Sequence, residues 1–362
     1  MTALPLDALR SPDRADMSLY EVFLTGLFAF LVINAMLLSA SLLVYAERRV
    51  SAFMQNRPGP NRVGPLGLFQ PFADVLKFML KEDVQPAQSN KFIHSMAPVV
   101  MVVIAMTTAA LIPFAEGVVV ADIGAGVVML LALTSISVYG VTFAGWSSNS
   151  KFPLLGGLRS AAQMVSYELS MGLAVISVVL IAGSLNFMAI VENQASGQAL
   201  LGWNMVRNPI GGLIFIVTAF AETNRAPFDL PEAEEELVGG YHTEYSGMKF
   251  GMFFLAEYVN WFIASFFIVT LFFGGYLIPF QPLLLDIVPA LDGSALLAVL
   301  QFMSLMLKVC FFVFVFIWVR WTFPRFKYNQ LMNVGWKYLL PISLANAILV
   351  ALGVMAFNAI GL

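Results

Sequence analysis

The sequence predicts an all-α polytopic membrane protein with about eight transmembrane helices. The 362 residues are 59% hydrophobic and only 11% charged, with a mean hydropathy of +0.83, whereas a soluble domain carries about 25% charged residues. Eight apolar runs approach the roughly 20 residues that a helix needs to cross a bilayer. The basic residues are concentrated in alternate loops between these runs, as expected when successive helices cross in opposite directions.

The apolar runs also define the domain organisation. Residues 19–362 are predicted to form a single membrane domain, and the polar residues 1–18 an N-terminal extension without the cleavage site of a signal peptide. The fifth run ends at Glu222 and is shorter than a usual span. The eight runs are 20–45, 96–115, 123–146, 160–183, 209–221, 250–278, 295–319 and 338–360.

The distribution of basic residues predicts the orientation. Fifteen of the nineteen Lys and Arg residues lie in four loops, and the loops on the other side carry only Arg207. By the positive-inside rule the four basic loops are cytoplasmic, so both termini are predicted to be periplasmic. The four cytoplasmic loops are 46–95, 147–159, 222–249 and 320–337.

The first cytoplasmic loop contains a predicted amphipathic helix, LFQPFADVLKFMLK at 68–81. Two interpretations remain open, because the apolar face suits the membrane interface and also suits packing against the protein's own helices. The two interpretations are compatible with each other. The apolar residues that share one helical face are Phe69, Phe72, Val75, Leu76 and Met79, opposite Asp74, Lys77 and Lys81.

The third cytoplasmic loop begins with an acidic stretch, ETNRAPFDLPEAEEELVGGYHTEYS, from Glu222 to Ser246. It holds seven carboxylates and a single basic residue, Arg225. Two further acids lie inside predicted helices on the same side, Glu168 roughly 12 Å and Glu257 roughly 10 Å from the cytoplasmic end. Intramembrane charges are costly and indicate function by default.

Lys308 lies near the middle of the seventh run, and two interpretations of these buried charges stay open. Lys308 could form an ion pair with Glu168 or Glu257 that only fixes helix packing. Alternatively, several buried carboxyl groups that interact titrate as a coupled set, which suits a proton relay.

The scarcity of metal ligands excludes several redox functions for this chain. Cys310 is the only cysteine, and His94 and His242 are the only histidines. These residues cannot provide a disulfide, a cysteine-ligated cluster or the paired ligands of a b-type haem. The net charge of −3 gives no support to nucleic-acid binding.

Four stretches of the sequence, about 130 residues in total, are recognisable as motifs: AERRVSAFMQNRPGPNRVGPLGLFQPFADVLKFMLKED, YGVTFAGWSSNSKFPLLGGLRSAAQMVSYELSMGL, AETNRAPFDLPEAEEELVGGYHTEYSGMKFGMFFLAEY and FIWVRWTFPRFKYNQLM. They resemble the signature sequences of one family, the H subunit of proton-pumping NADH:quinone oxidoreductase (respiratory complex I). One departure from the family pattern lies in RFKYNQLM, where Lys327 and Asn329 stand in place of an arginine and an acid.

The resemblance implies a membrane subunit that is active only in the assembled enzyme. It implies that this chain forms the quinone tunnel and chamber wall and couples quinone reduction to proton translocation through buried carboxylates. NADH, FMN and iron–sulfur clusters are expected in partner subunits, and quinone, ubiquinone rather than menaquinone, as substrate. The expected partners are the redox-arm subunits of the quinone chamber, the small and antiporter-like membrane subunits, and membrane lipids, in a bacterial inner membrane rather than a mitochondrial one.

The resemblance also implies roles for individual residues, and no catalytic or metal-binding residue is among them. Positions at the quinone tunnel and chamber are Glu47, Arg48, Arg57, Asp74, Arg225, Asp229, Glu232 and Arg320. Positions of the proton relay are Glu168, Glu222, Glu234, Glu236, Glu257 and Lys308. The quinone tail is expected to pass between the first, sixth and seventh spans and the amphipathic helix. Reduction is then expected to rearrange the acidic loop and to change the protonation of the buried acids.

Two alternatives are considered. One is the homologous membrane subunit of an energy-converting hydrogenase-type complex, which shares the acids and the fold. The other is a stand-alone proton-coupled transporter, which predicts an internal repeat and paired broken helices. The sequence has no repeat at a fixed period, and its buried acids lie toward one side.

Overall fold

The computed structural model describes residues 19–195, 199–231, 237–291 and 293–360, and this part of the chain is mostly helical. A short antiparallel hairpin joins β1 (Pro113–Ala115) to β2 (Val118–Val119). The predicted N-terminal extension, 1–18, lies outside the described residues. The helices are α1 (Leu19–Met54), α2 (Gln70–Leu80), α3 (Lys91–Ala109), α4 (Gly126–Ser147), α5 (Lys151–Ala182), α6 (Phe187–Ala195), α7 (Asn204–Arg207), α8 (Pro209–Glu222), α9 (Gly247–Phe272), α10 (Gln281–Ile287), α11 (Ala295–Thr322), α12 (Tyr328–Asn333) and α13 (Leu340–Ile360).

Within the described ranges, seven helical segments are long and apolar enough to cross a membrane. Six of them are single helices, namely α1, α3, α4, α5, α9 and α11. The seventh, Tyr328–Phe357, runs from α12 through a π-helical turn at Val334–Leu339 into α13. These segments match seven of the eight predicted runs, so the prediction of an all-α polytopic membrane protein is confirmed.

The predicted fifth span corresponds to the short helix α8, which follows the four-residue helix α7. Alone, α8 has 14 residues and a length of about 21 Å, less than the roughly 30 Å of a bilayer core. The backbone N–H of Asn208 donates to Asn204 at 2.7 Å, and the carbonyl of Asn208 accepts from Gly212 at 3.1 Å. Asn208, with φ −142° and ψ 70°, is thus the C-cap of α7 and the N-cap of α8, so the helical geometry is interrupted between the two helices.

The four loops predicted to be cytoplasmic meet at one end of the bundle. The ammonium of Lys249, just after the third loop's acidic stretch, lies 2.8 Å from the carboxylate of Asp83 in the first loop. The side-chain amide of Asn149 in the second loop donates to the first loop at 3.3 Å. In the fourth loop, the N–H of Phe326 donates to the carbonyl of Pro227 at 3.1 Å. Their common location is compatible with the predicted alternation of the loops, and the assignment of this end to the cytoplasm stays a prediction.

The helix α5 lies at the centre of the bundle, where it packs against α4, α8 and α13. Its residue Gly156 faces the acidic loop so closely that an added Cβ would lie 2.7 Å from the backbone nitrogen of Tyr241 and 2.8 Å from Gly240. Backbone atoms cannot give way as a flexible side chain can, so the loop is held against α5 only because this position lacks a side chain.

We expect Gly156→Ala to destabilise the protein by about 1–3 kcal/mol, because one added methyl group overpacks this contact. The measurement is thermal unfolding of the purified complex. The matched control is Gly172→Ala on the same helix, where an added Cβ meets nothing within 4 Å. An equal effect of the two substitutions would show that helix propensity, rather than contact with the acidic loop, determines the result.

Candidate functional site

A buried cluster of charged side chains lies where α1, α9 and α11 meet the acidic loop. Its centre is Arg225, three residues beyond α8 and only 2% exposed. The guanidinium Nη1 of Arg225 donates to Glu47 Oε2 at 2.8 Å, and its Nε lies 3.1 Å from Glu257 Oε1. The chain therefore places one buried arginine between a carboxylate of the first span and a carboxylate of the sixth.

Further contacts of Glu47 complete the cluster. Arg320 Nη1 lies 2.7 Å from Glu47 Oε1, and the hydroxyl of Tyr258 donates to Glu47 Oε2 at 2.8 Å. The guanidinium carbon of Arg225 lies 4.5 Å from the ring centre of Tyr258 and 4.1 Å from that of Trp261. Aromatic faces attract a desolvated cation, so each charge in this water-poor site has a partner.

The charge state of Arg225 follows from these contacts. Burial alone would lower the pKa of its guanidinium, but the negative charges of Glu47 and Glu257 outweigh burial and raise this pKa above its ordinary value. Arg225 therefore stays a cation. Because its charge is fixed, any change of charge in the cluster has to occur on the carboxylates.

A second ionic contact connects α1 with α2. Arg48 Nη1 lies 2.6 Å from Asp74 Oδ2, and Lys77 Nζ lies 3.5 Å from Asp74 Oδ1. The helix α2 confirms the predicted amphipathic helix. The residues of its predicted apolar face are all exposed in the isolated chain: Phe69, Phe72, Val75, Leu76 and Met79. This exposure favours the interpretation in which α2 lies in the membrane interface.

A cavity of about 610 Å³ lies between α1, α2 and α9. Apolar side chains form most of its wall, and the charged residues Arg48 and Asp74 also line it. Tyr258 lines this cavity and also donates its hydroxyl to Glu47, which connects the apolar space to the buried charges. The volume falls within the 300–1,000 Å³ typical of ligand pockets. The apolar residues of the wall include Leu37, Val44, Phe72, Val75, Phe254 and Leu255.

Two smaller cavities lie beside the buried acids. Glu222 and Glu257 both line one of about 20 Å³, together with Asn260. Glu222 and Asn260 also line the other, of about 60 Å³. A water molecule needs at least about 10–15 Å³ and several polar partners. The Oε2 atom of Glu222 is buried and has no hydrogen-bond partner among the described residues, so these cavities provide room for water next to it.

The third intramembrane acid, Glu168, lies near the same region. The hydroxyl of Ser135 donates to its carboxylate, and α5, which carries Glu168, packs against α8, which ends at Glu222. The structure thus brings Glu168, Glu222 and Glu257 into one neighbourhood, at the predicted end of the bundle. Hydroxyl and amide side chains on α3, α4 and α9 line the larger of the two cavities beside Glu222: Thr108, Thr134, Ser137 and Asn260.

Other predicted site residues lie elsewhere. Arg57 is exposed, and its Nε donates to Gln55 at 2.7 Å. Asp229 lies 3.3 Å from Arg325, within the loops that border the cluster. Lys308 contacts neither Glu168 nor Glu257 among its described contacts, because its ammonium binds backbone carbonyls beyond α9. The predicted residues Glu232, Glu234 and Glu236 lie outside the described residues.

Sequence reasoning missed four residues that take part in these contacts: Tyr258, Asn260, Trp261 and Arg325. A signal for two of them was available, since Asn260 and Trp261 follow Glu257 by three and four residues and so lie on its side of α9. Nothing in the local sequence indicated that Arg325 would pair with Asp229.

The family of this chain follows from its similarity to known proteins. The sequence profile described as NADH dehydrogenase matches residues 27–351, which is most of the chain. The chain belongs to the NADH dehydrogenase family. The matched region includes all three buried acids and the whole charged cluster, so these features lie within the part that is common to the family.

Individual relatives of this NADH dehydrogenase family member carry more specific names. A Salinibacter ruber protein, named as the H subunit of NADH-quinone oxidoreductase, is 88% identical over 338 residues, 93% of this chain and 98% of the relative. A Rhodothermus marinus protein, named as subunit 8 of NADH-quinone oxidoreductase, is 73% identical over 337 residues, 93% of this chain and 99% of the relative. The H subunit of Rhodospirillum centenum is 50% identical over 322 residues, 89% of this chain and 91% of the relative. The predicted resemblance to this subunit of NADH:quinone oxidoreductase is confirmed.

Proposed function

We propose that this chain is the membrane subunit of a proton-translocating NADH:quinone oxidoreductase that guides quinone and couples its reduction to proton movement. The observation that carries the proposal is the apolar cavity between α1, α2 and α9, which adjoins a buried charged cluster through Tyr258. An isoprenoid quinone has an apolar tail and a polar headgroup, so a mostly apolar pocket with a few polar lining residues suits it. Ubiquinone is the proposed substrate.

The proposed division of labour assigns the redox chemistry to partner subunits. Reduction of the quinone consumes two electrons and two protons and yields the quinol. In this proposal the electrons come from an iron–sulfur cluster of a redox-arm subunit, which receives them from NADH through FMN. In the part of the chain that the structure describes, no group of three or more His, Cys, Asp or Glu side chains could hold a metal ion.

The proposed coupling runs through the acidic loop. Arg225 belongs to this loop and pairs with Glu257 of α9, so a rearrangement of the loop changes the counter-charge of Glu257. A buried carboxylate that loses its counter-charge is costly and takes up a proton instead. Quinone reduction that moves the loop would thereby change the protonation of Glu257, Glu222 and Glu168. Such coupling needs two states that the quinone chemistry distinguishes.

The proposed setting is a bacterial inner membrane with both termini in the periplasm. The loops that meet at one end of the bundle carry most of the basic residues, which supports a cytoplasmic face for docking of the redox arm. The proposed neighbours in the membrane are the small and antiporter-like subunits of the same complex. Copurification with NADH-binding subunits would support this assignment over a hydrogenase-type complex.

The quinone cavity is tested by Val44→Trp in the assembled enzyme. Val44 lines the cavity from α1, so the larger ring is expected to raise the KM for a long-tailed quinone or to lower its turnover by about tenfold, equivalent to about 1.4 kcal/mol. The measurement is NADH:quinone oxidoreductase activity with quinones of different tail length. Reduction of a soluble acceptor such as ferricyanide by NADH is expected to stay unchanged.

The matched control is Leu42→Trp. Leu42 lies on the same helix, is 43% exposed and does not line the cavity. The proposal predicts normal quinone reduction in this variant. Equal activity of the Val44→Trp enzyme and the wild-type enzyme with long-tailed quinone would contradict a quinone path between α1, α2 and α9.

A further inference from the structure

The end of α9 is held by polar side chains from three other parts of the chain. After α9 the backbone turns through Gly274 and Gly275, which have φ values of 74° and 51°. The last four carbonyls of a helix have no partner within the helix, and unpaired carbonyls are costly in a membrane protein because lipid provides no donors. The carbonyls at this end of α9 therefore need donors from elsewhere.

Lys308 of α11 supplies donors to the segment that follows α9. Its ammonium donates to the carbonyls of Phe273 at 3.0 Å, Gly275 at 3.0 Å and Leu277 at 2.6 Å. It also lies 4.7 Å from the ring centre of Trp203. An ammonium has three N–H donors, and here each of them has an acceptor. A neutral amine has two N–H donors, so loss of the proton would leave one of these carbonyls without a donor.

Two fully buried amides supply donors to the last turn itself. Gln194 Nε2 donates to the carbonyl of Thr270 at 2.9 Å, and Asn204 Nδ2 donates to that of Leu271 at 2.8 Å. Gln194 Oε1 accepts from the N–H of Gly274 at 3.0 Å. Side chains of α6 and α7 thus bind two consecutive carbonyls in the last turn of α9, and Lys308 of α11 binds three carbonyls of the segment that follows.

We propose that Lys308 is a positioning residue, a fixed cation that anchors the end of α9 together with Gln194 and Asn204, and that it carries no protons. A cation is also favoured at the carboxyl end of a helix by the helix dipole. Glu257 and Tyr258 lie on the same helix, about 22 Å away at 1.5 Å per residue. Because a helix is stiff along its axis, the anchor determines how deep Glu257 lies relative to Arg225 and Glu47.

This inference replaces the sequence-based prediction that Lys308 belongs to the proton relay. It rests on the proposed function only in the experiments that measure proton pumping. The decisive variant is Lys308→Arg in the assembled enzyme, because a guanidinium donates hydrogen bonds and is not deprotonated in proteins. A cavity of about 220 Å³ is lined by Trp203 and Leu277, two residues that Lys308 contacts.

We expect Lys308→Arg to keep the wild-type ratio of protons pumped to electrons transferred. Lys308→Met removes the donors and is expected to accelerate amide hydrogen exchange at 270–277 by about tenfold, a measure of local opening, and to lower the yield of assembled complex. A Lys308→Arg enzyme that assembles and reduces quinone normally but pumps no protons would overturn the anchor. Unchanged exchange at 270–277 in the Lys308→Met enzyme would overturn it as well.

Lys308→Gln is the second variant, in case arginine prevents assembly. Glutamine donates hydrogen bonds without a titratable proton. A retained ratio of protons pumped to electrons transferred therefore supports the anchor, and loss of pumping in a normally assembled enzyme overturns it.

Gln194→Leu is expected to increase amide hydrogen exchange at 270–277, as Lys308→Met does. Amide hydrogen exchange is measured without enzyme activity, so unchanged exchange would contradict the anchoring role of Lys308 and leave the proposed function intact. Conversely, a wild-type complex without quinone-linked pumping would refute the proposed function alone.

Discussion

Arg225→Met is expected to destabilise the protein by about 3–5 kcal/mol, because breaking a buried ion pair leaves uncompensated charge in a water-poor site. The substitution removes the cation that lies 2.8 Å from Glu47 and 3.1 Å from Glu257. It also removes the charge that Tyr258 and Trp261 enclose. The measurements are the yield of assembled complex, its thermal unfolding and its quinone reductase rate, and all three are expected to fall.

Arg62→Met is the matched control, since Arg62 is an exposed arginine of the first basic loop. It is expected to change stability by less than about 0.5 kcal/mol. Arg225→Lys should recover part of the loss, because lysine keeps the charge but lacks the fork that reaches two carboxylates at once. A stable, fully active Arg225→Met enzyme would show that the cluster is unimportant for fold and function.

Glu222→Gln is expected to lower quinone-linked proton pumping by at least about tenfold while NADH oxidation and quinone reduction continue. Glutamine keeps the shape of the side chain and removes its ability to release a proton. Glu222 is informative because it lines both small cavities and has a buried oxygen with no hydrogen-bond partner among the described residues. The measurement is the ratio of protons pumped to electrons transferred in sealed vesicles.

Glu257→Gln should show the same loss of pumping together with weaker assembly, because it also removes a partner of Arg225. The control is Glu82→Gln, since Glu82 is an exposed carboxylate of the first basic loop, and it should pump normally. Undiminished pumping in both the Glu222→Gln and the Glu257→Gln enzymes would refute a proton relay through these acids.

Hydropathy predicted most of the fold because lipid provides no hydrogen-bond partners for the backbone, so a long apolar run in a membrane has to form a helix. The predicted fifth run, 209–221, agrees with α8 (Pro209–Glu222), but hydropathy did not indicate the short helix α7 that precedes it. The end of the sixth span was predicted at 278 but lies at Phe272. There the glycines 274 and 275 turn the chain while the composition remains apolar, so hydropathy alone cannot detect the end of the helix.

The candidate site was predictable as a set of charged residues but not as a set of contacts. Depth along a helix placed Glu168 and Glu257 at one side of the membrane, and the structure brings both close to Glu222. Periodicity carries no information about which helices are neighbours, so the pairing of Arg225 with Glu47, 178 residues apart in sequence, required the tertiary structure. The contacts of Lys308 also required the tertiary structure, because the sequence around a buried lysine does not show whether its ammonium binds carboxylates or backbone carbonyls.

The cluster around Glu47 has one consequence for how charge can move through the protein. Its two carboxylates, Glu47 and Glu257, are matched by two guanidiniums, Arg225 and Arg320, so the formal charges of these four groups cancel. In a low-dielectric interior, any departure from electroneutrality is expensive. We therefore expect that one of these carboxylates keeps an added proton only if another positive charge leaves the neighbourhood at the same time. The four residues would then pass a change of charge on to their surroundings and would not store it.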